Sequence, residues 1–330
     1  MRVLVTGGAG YVGSHTCKAL AKAGFEPVSF DDLRRGNRWA IRWGPHVEAD
    51  LADRAAIEGA LRQYEIGAVI HFAAYAYVGE SMLDPALYFR NNVANSVTLL
   101  EAMAEAGVRN IVVSSTCATY GVPDSVPISE THPLRPTNPY GESKVMVEKM
   151  LAWYGQCHDF RWSALRYFNA AGADPEGEIG EWHDPESHLI PIVIEAALGL
   201  RPHMQIYGTD YATPDGTAVR DYIHVSDLAD AHVRALNSLL DGMASGAVNL
   251  GTGEGRSVRE IIDAVARFTG WSPIVVEGPR RPGDPPALVA DARLAQQTLG
   301  WKPVHSDLED IIRTAHDWRQ QGLARELSAA

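Results

Sequence analysis

Short apolar runs alternate with amphipathic stretches through the first half of the chain. Residues 2–6 (Arg-Val-Leu-Val-Thr) predict a buried strand, and a helical pattern follows through Ala23. Glu26–Phe30, His46–Ala49 and Ala68–Phe72 predict further strands, with a helix over Asp53–Gln63 between the last two. Pro85 opens a long helical pattern that runs to Ala106, where Gly107 stops it. Strand Asn110–Ser115, a helix opening at Asn138-Pro139 and strand Arg161–Phe168 complete the series. Apolar runs separated by helices are what a parallel sheet covered on both faces requires. The expected fold class is α/β, with a doubly wound parallel sheet in residues 1–168.

Beyond residue 168 the texture changes. Residues 169–188 are rich in Gly, Asp, Glu and Pro and read as loop. His188-Leu-Ile-Pro191 starts an apolar helix ending near Gly199, Gln205–Tyr207 reads as strand, and Gly208 to Val219 as irregular. Strand Arg220–Val225, helix Asp227–Leu240 and strand Ala247–Leu250 follow. Ser257 with Glu260 predicts a capping box for a helix to Phe268. Ser306 with Glu309 begins the last helix, whose tail after Gly322 is expected to fray. Residues 169–330 thus form a smaller mixed α/β domain, some segments of which return to the first.

Composition narrows the function classes. A formal charge of −12 argues against nucleic acid or an anionic membrane as the main partner. No apolar run approaches the ~20 residues that span a bilayer, and the start goes directly into a strand rather than a secretory leader. Cys17, Cys117 and Cys157 are widely spaced, so neither a disulfide framework nor a zinc site is expected. The twelve histidines lack metal-type spacing, and His183 and His188 read as loop residues; no metal is expected. A reducing cytoplasm is the expected compartment.

Three stretches carry candidate chemistry. Gly7-Gly-Ala-Gly10-Tyr-Val-Gly13, between a strand and a helix, suits a tight turn, close backbone approach to a pyrophosphate, and helix N–H groups aimed at phosphates. That context favours dinucleotide binding over a ligand-free turn and makes the sheet Rossmann-type. Asp31-Asp32 ends the second strand, where an acid can bond a ribose 2′-hydroxyl and repel a 2′-phosphate, favouring NAD over NADP. Arg34 and Arg35 leave the phosphate alternative open. Asp50-Leu51 can meet an adenine edge or begin a helix cap, and Phe72-Ala-Ala74 lets backbone pack near a cofactor. Asn91-Asn92 is either a contact or a solvated helix face, and Ser114 to Tyr120 puts hydroxyls at a strand's carboxyl end. Tyr140 and Lys144, four apart, share a helical face, and an ammonium near a phenol lowers the phenol's pKa. Arg220 and Arg281 offer forks for phosphate oxygens, or ion pairs with Asp221 or Asp284.

Together these features resemble an extended short-chain dehydrogenase/reductase. Tyr167-Phe-Asn169-Ala-Ala-Gly172, His188-Leu-Ile-Pro191, Asp215 to Val225, Asn249-Leu-Gly-Thr-Gly253 and Arg280-Arg-Pro-Gly-Asp284 are similar to the UDP-glucose 4-epimerase family, over nearly the whole chain. The resemblance implies a tightly held NAD, UDP-glucose and UDP-galactose as substrates, and a homodimer joined through helices 85–106 and 140–158. It implies that Tyr140 exchanges a proton with the sugar 4-hydroxyl, that Lys144 holds the nicotinamide ribose, and that Thr116 bonds the sugar oxygen or Tyr140. Implied NAD contacts are Gly7, Gly10, Tyr11, Val12, Gly13, Asp31, Asp32, Leu33, Asp50, Leu51, Phe72, Ala73, Ala74, Asn91, Ser114 and Tyr167, with Tyr140 and Lys144. Implied nucleotide-sugar contacts are Phe168, Asn169, His188, Leu189, Gln205, Tyr207, Arg220, Tyr222, Arg281, Asp284 and Leu288, with Thr116 and Tyr140. The two arginines would grip the diphosphate and leave the sugar free to turn.

Two departures from the family pattern matter. Tyr75-Ala-Tyr stands where some relatives carry a pyrophosphate lysine, which predicts a looser hold on NAD. Leu288 stands where a tyrosine narrows the sugar pocket of some relatives, which predicts tolerance of UDP-N-acetylated sugars. Among alternatives, a dehydratase would need an acid–base pair where this chain has Cys117-Ala118. A silent NAD-binding regulator would not need Tyr140, Lys144 and the arginines. Epimerisation of UDP-pentoses or UDP-uronic acids stays open.

Overall fold

The structure, a computed structural model, describes residues 1–281 and 283–329, with side chains through residue 323. It begins β1 (Arg2–Thr6), α1 (Tyr11–Lys22), β2 (Glu26–Phe30), β3 (His46–Val47), α2 (Arg54–Gln63) and β4 (Ile66–His71). Next come α3 (Val78–Leu83), α4 (Pro85–Tyr88) and α5 (Asn95–Ala106), the last two joined by a π-helical turn over Phe89–Ala94. β5 (Asn110–Thr116), α6 (Pro139–His158), β6 (Arg161–Tyr167), β7 (Asn169–Ala171) and α7 (Leu189–Ala197) follow. The remainder is β8 (Met204–Tyr207), β9 (Val219–His224), α8 (Val225–Leu240), β10 (Gly246–Leu250), β11 (Gly255–Ser257), α9 (Val258–Thr269), β12 (Val275–Gly278), β13 (Ala287–Leu288), α10 (Arg293–Leu299) and α11 (Leu308–Ala329).

The large sheet has seven parallel strands in the order β10-β6-β5-β4-β1-β2-β3. Successive side chains of a strand face opposite ways, so each strand feeds two cores. Val3, Val5, Ile70, Val112 and Leu165 pack with residues of α1 and α8, while Leu4, Val69, Ile111 and Val113 pack with residues of α2, α5 and α6. The edge strand β10 comes from beyond residue 168, with Val248 in register with Leu165. A third core joins α7, α9 and α11 through Ile190, Ile194, Ile261, Val265 and Ile311.

Several local expectations change. The stretch read as loop from residue 169 begins with β7, parallel to β9 with Asn169 opposite Tyr222. The third strand shortens to His46–Val47. α3, β11, β12 and β13 were not anticipated, because elements this short show no periodicity and depend on their partners. The helix expected over 85–106 is continuous but contains the π turn. The capping box forms as read: Ser257 Oγ accepts from Glu260 N at 3.1 Å and Glu260 Oε2 from Ser257 N at 2.7 Å. Among the described residues no helix is long and apolar enough to cross a membrane.

Candidate active site

The glycine loop is a close backbone crossing. A Cβ on Gly13 would fall 2.1 Å from Gly7 O, and one on Gly7, at φ +73°, would fall 2.7 Å from Ala73 N. Gly10 caps α1 without a side-chain hydrogen bond, leaving that helix end open to a phosphate. At the end of β2, Asp31 accepts from Ala9 N at 3.0 Å and Leu33 N at 2.9 Å, and its burial raises the carboxyl pKa. Arg34 reaches Asp50 at 2.6 Å and Asp32 at 3.3 Å, and Arg35 reaches Glu80 at 2.6 Å. Both arginines are thus engaged by carboxylates in the structure. The glycine cradle and the buried acid fit a dinucleotide.

Behind this loop Leu51 is buried, Val12 packs on the core, and the Phe72 ring lies 4.6 Å from that of His232. Ala73 N donates to Thr6 O at 3.1 Å, and Ala74 follows, half-buried. Asn92 pins the next residue: its Oδ1 takes Tyr75 N at 2.9 Å, and its Nδ2 donates to Tyr75 O and Ser143 Oγ, both at 3.0 Å. Asn91, the residue singled out from sequence, donates to Asn92 Oδ1 at 3.0 Å. The π turn that presents this pair is the kind of insertion common at functional sites.

α6 starts where proline and asparagine place it: Asn138 Oδ1 accepts from Gly141 N at 2.8 Å, with Pro139 in the first turn. Tyr140 and Lys144 are both buried on this helix. Lys144 Nζ donates to Ser114 O at 2.8 Å, and Ser114 Oγ lies 2.5 Å from Tyr167 OH. Burial pulls the Lys144 ammonium down to about 8. Tyr140 differs from expectation, since burial, with a smaller contribution from Tyr167, raises its pKa; a hydrogen bond with Thr116 acts the other way. Desolvation of the phenolate outweighs the effect foreseen for the lysine. Thr116, at the end of β5, also accepts from Ala118 N at 3.1 Å.

Facing this strand end, Phe168 and Leu288 pack with Cys117 and Tyr120. Tyr222 is buried on β9, while Asn169 and Gln205 are half-buried on β7 and β8. Arg220 donates to Val219 O at 2.7 Å and pairs with Asp284. Asp221, the other partner considered for it, instead accepts from Thr252, Gly253 and Ala290 backbone N–H groups and is fully buried. Arg281 lies 4.0 Å over the Tyr207 ring, and Pro282 of the same basic turn is outside the described residues. Leu189 packs against the third core. His188, expected among the sugar contacts, turns Nδ1 to within 2.5 Å of Glu181. The loop before α7 also brings in His183, so these histidines share a carboxylate environment that their sequence spacing does not announce. Carboxylates hold His183 up at about 9 and His188 at about 10, against the opposing effect of burial.

Sequence reasoning missed a buried network beneath the strand ends. Ser115 Oγ donates to Glu148 Oε1 at 2.5 Å, Arg166 donates to both Glu148 oxygens, and Arg166 Nη1 reaches Tyr120 OH at 3.0 Å. Tyr120 OH in turn donates to Asn249 Oδ1 at 2.6 Å. The available signal was Glu148 four residues beyond Lys144, on the same face.

Comparison with known proteins agrees with this architecture. The NAD dependent epimerase/dehydratase family matches residues 3–251. A UDP-glucose 4-epimerase of Rhizobium leguminosarum bv. trifolii is 53% identical over 317 residues, covering 96% of each chain. The UDP-glucose 4-epimerase of Brucella ovis in complex with NAD superposes with a TM-score of 0.93 at 53% identity, over 96% of this chain and 97% of that one. A Stenotrophomonas maltophila UDP-glucose 4-epimerase with bound NAD and formylated UDP-arabinopyranose gives 0.94 at 42% identity, over 99% of each. The chain belongs to the NAD-dependent epimerase/dehydratase family.

Proposed function

We propose that the chain interconverts UDP-glucose and UDP-galactose by inverting C4 through a 4-keto sugar. The observation that carries this reading is the convergence of buried Tyr140 and Lys144 on the Ser114–Thr116 strand end, at the same carboxyl edge of the sheet as the glycine cradle. NAD, when bound, supplies reversible oxidation and reduction at C4. The chain's own residues handle protons and position. Tyr140 takes the proton of the 4-hydroxyl and returns it after the sugar has turned, with Thr116 fixing the line of transfer. This requires the cationic nicotinamide to offset the burial that raises the phenol's pKa in the NAD-free chain. Lys144 donates to the nicotinamide ribose, and Asp31 accepts from the adenosine ribose. Gly7, Gly10, Tyr11, Val12 and Gly13 line the pyrophosphate side.

Arg220, Arg281 and Asp284, with Tyr222, Asn169, Phe168, Leu189, Gln205 and Tyr207, hold the nucleotide and its diphosphate. A grip on the diphosphate lets the keto sugar rotate and present its other face, which a tight sugar grip would forbid. Leu288, buried beside Cys117 and Phe168, bounds the sugar. The pairing of Arg220 with Asp284 orients the guanidinium before the diphosphate arrives.

A homodimer through α4–α5 and α6 is part of the proposal, supported by Trp153, which is 64% exposed on α6. A reducing cytoplasm suits three unpaired cysteines. The test is incubation with UDP-glucose, UDP-galactose, UDP-N-acetylglucosamine and UDP-arabinose without added NAD, followed by product separation. UDP-glucose and UDP-galactose should interconvert to one equilibrium mixture from either side. No interconversion, even with NAD added, would overturn the reading.

A further inference from the structure

The loop before α7 gathers a second set of reactive side chains. Glu181, His183, Glu186 and His188 each bring a ligand atom within 4.8 Å of the others. Glu181 Oε1 stands 3.2 Å from His183 Nδ1, and Glu186 reaches the His183 and His188 Nδ1 atoms at 3.6 and 3.4 Å. Donors around a tetrahedral zinc with bonds of ~2.0–2.1 Å stand roughly 3.3 Å apart. The Glu181–His183, Glu186–His183 and Glu186–His188 separations fit, and the 2.5 Å contact from Glu181 to His188 must open.

Direction carries the argument further. Glu181 is 8% exposed, yet its Oε1 and the Nδ1 atoms of both histidines make no directed hydrogen bond despite these contacts. Close contact without a directed hydrogen bond leaves these three buried atoms available to a shared ligand. No lysine or arginine pairs with Glu181 or Glu186 among the described residues. The neighbouring acidic group differs: Asp174, Glu176 and Glu178 already surround Lys18 Nζ at 2.6, 3.0 and 2.7 Å. Around the first set the frame is fixed. Glu181 O accepts from Trp318 Nε1 at 2.9 Å, and Glu186 Oε1 accepts from the Ser187 and His188 N–H groups at 2.7 and 2.8 Å. A small cavity bordered by Glu181, His183 and Glu186 gives access.

We propose that Glu181, His183, Glu186 and His188 bind one divalent transition-metal ion of the zinc class. Imidazole and carboxylate donors suit that class, and a set of four protein ligands makes the site structural. The ion ties the loop to itself immediately before α7. Because His183 meets the rings of Tyr11 and Tyr77 edge-on, the same ion also steadies the contact with α1.

The test uses the full chain, stripped with a chelator and titrated with Zn2+ or Co2+ alone. One equivalent of zinc should bind per chain, and Co2+ should give the intense visible absorption of a four-coordinate site. Glu181→Gln and His183→Gln should each weaken zinc at least tenfold, while His203→Gln, an exposed histidine, should not. Circular dichroism and NAD binding check that the variants fold. Equal zinc binding by the unmodified chain and both variants would reveal an adventitious ion only. Absence of binding, with both rings protonated at neutral pH by NMR, would reveal an ion-paired cluster. Either result overturns the proposal.

Discussion

Arg166 on β6 holds Glu148 on α6 by both carboxylate oxygens, at 2.9 and 2.5 Å, with each side chain 7% exposed. Tyr140, Lys144 and Glu148 recur at intervals of four residues and form one stripe of α6. The pair therefore anchors that stripe against the sheet. Removing one partner of a buried pair strands the other charge, at a cost of about 3–5 kcal/mol. Glu148→Ala should lose stability on that scale in urea denaturation and lower kcat more than it raises KM. Adding Arg166→Met should recover part of the stability. A Glu148→Ala protein as stable as the parent would refute the anchor.

How far the sequence could be read follows from the separation of partners. Tyr140 and Lys144 were legible because one helix spaces them, and the glycine loop because its turn and helix are contiguous. The six early strand patterns predicted the doubly wound sheet for the same reason. Glu148 and Arg166 belong to different elements and looked like ordinary charges. β7 and β13 are too short for a pattern and exist through β9. The Glu181–His188 cluster needs a folded loop to bring its atoms together. The direction of the Tyr140 shift depends on burial, which spacing does not reveal.

Tyr140→Phe removes only the hydroxyl from a buried ring. Loss of a positioned acid–base group costs ~10²–10⁴-fold in rate. Turnover of UDP-galactose should fall by that much, while UDP-sugar affinity, measured by calorimetry, stays within a few-fold. Unchanged turnover would remove Tyr140 from the chemistry. Thr116→Val should give a smaller loss in the same assay.

Lys144 gives a pH prediction for the NAD-free chain. Its folded pKa, about 8, lies below the ordinary 10.5. Between those values the unfolded chain holds a proton that the folded chain has released, so this group makes stability rise with pH. Above the ordinary pKa its burial cost vanishes; as pH falls through about 8 the cost reaches its full ~3 kcal/mol. Lys144→Met should therefore gain most over the parent at pH 7 and little at pH 10.5 in chemical denaturation. A gain independent of pH would contradict the buried-ammonium account.

Arg35 lies 4.1 Å over the Tyr75 ring and 5.0 Å over that of Tyr77, and its guanidinium pairs with Glu80. This stack joins the loop after β2 to the loop after β4, where the pyrophosphate lysine of some relatives is missing. Bridging both loops should slow NAD release. Arg35→Ala should release NAD at least several-fold faster in a fluorescence chase, with kcat at saturating NAD nearly unchanged. Equal release rates would leave NAD retention to the glycine cradle alone.

Leu288 is 6% exposed on β13 and packs with Phe168, Cys117 and Tyr120. A tyrosine adds a ring and a hydroxyl, and an overpacked site typically loses ~1–3 kcal/mol. Where the extra volume projects toward the sugar, that cost falls on substrates with a bulky 2-substituent. The parent chain should therefore turn over UDP-N-acetylglucosamine as well as UDP-galactose. Leu288→Tyr should lose kcat/KM for the acetylated sugar at least tenfold more than for UDP-galactose. No turnover of UDP-N-acetylglucosamine by the parent, beside robust turnover of UDP-galactose, would show that something other than Leu288 sets the sugar boundary.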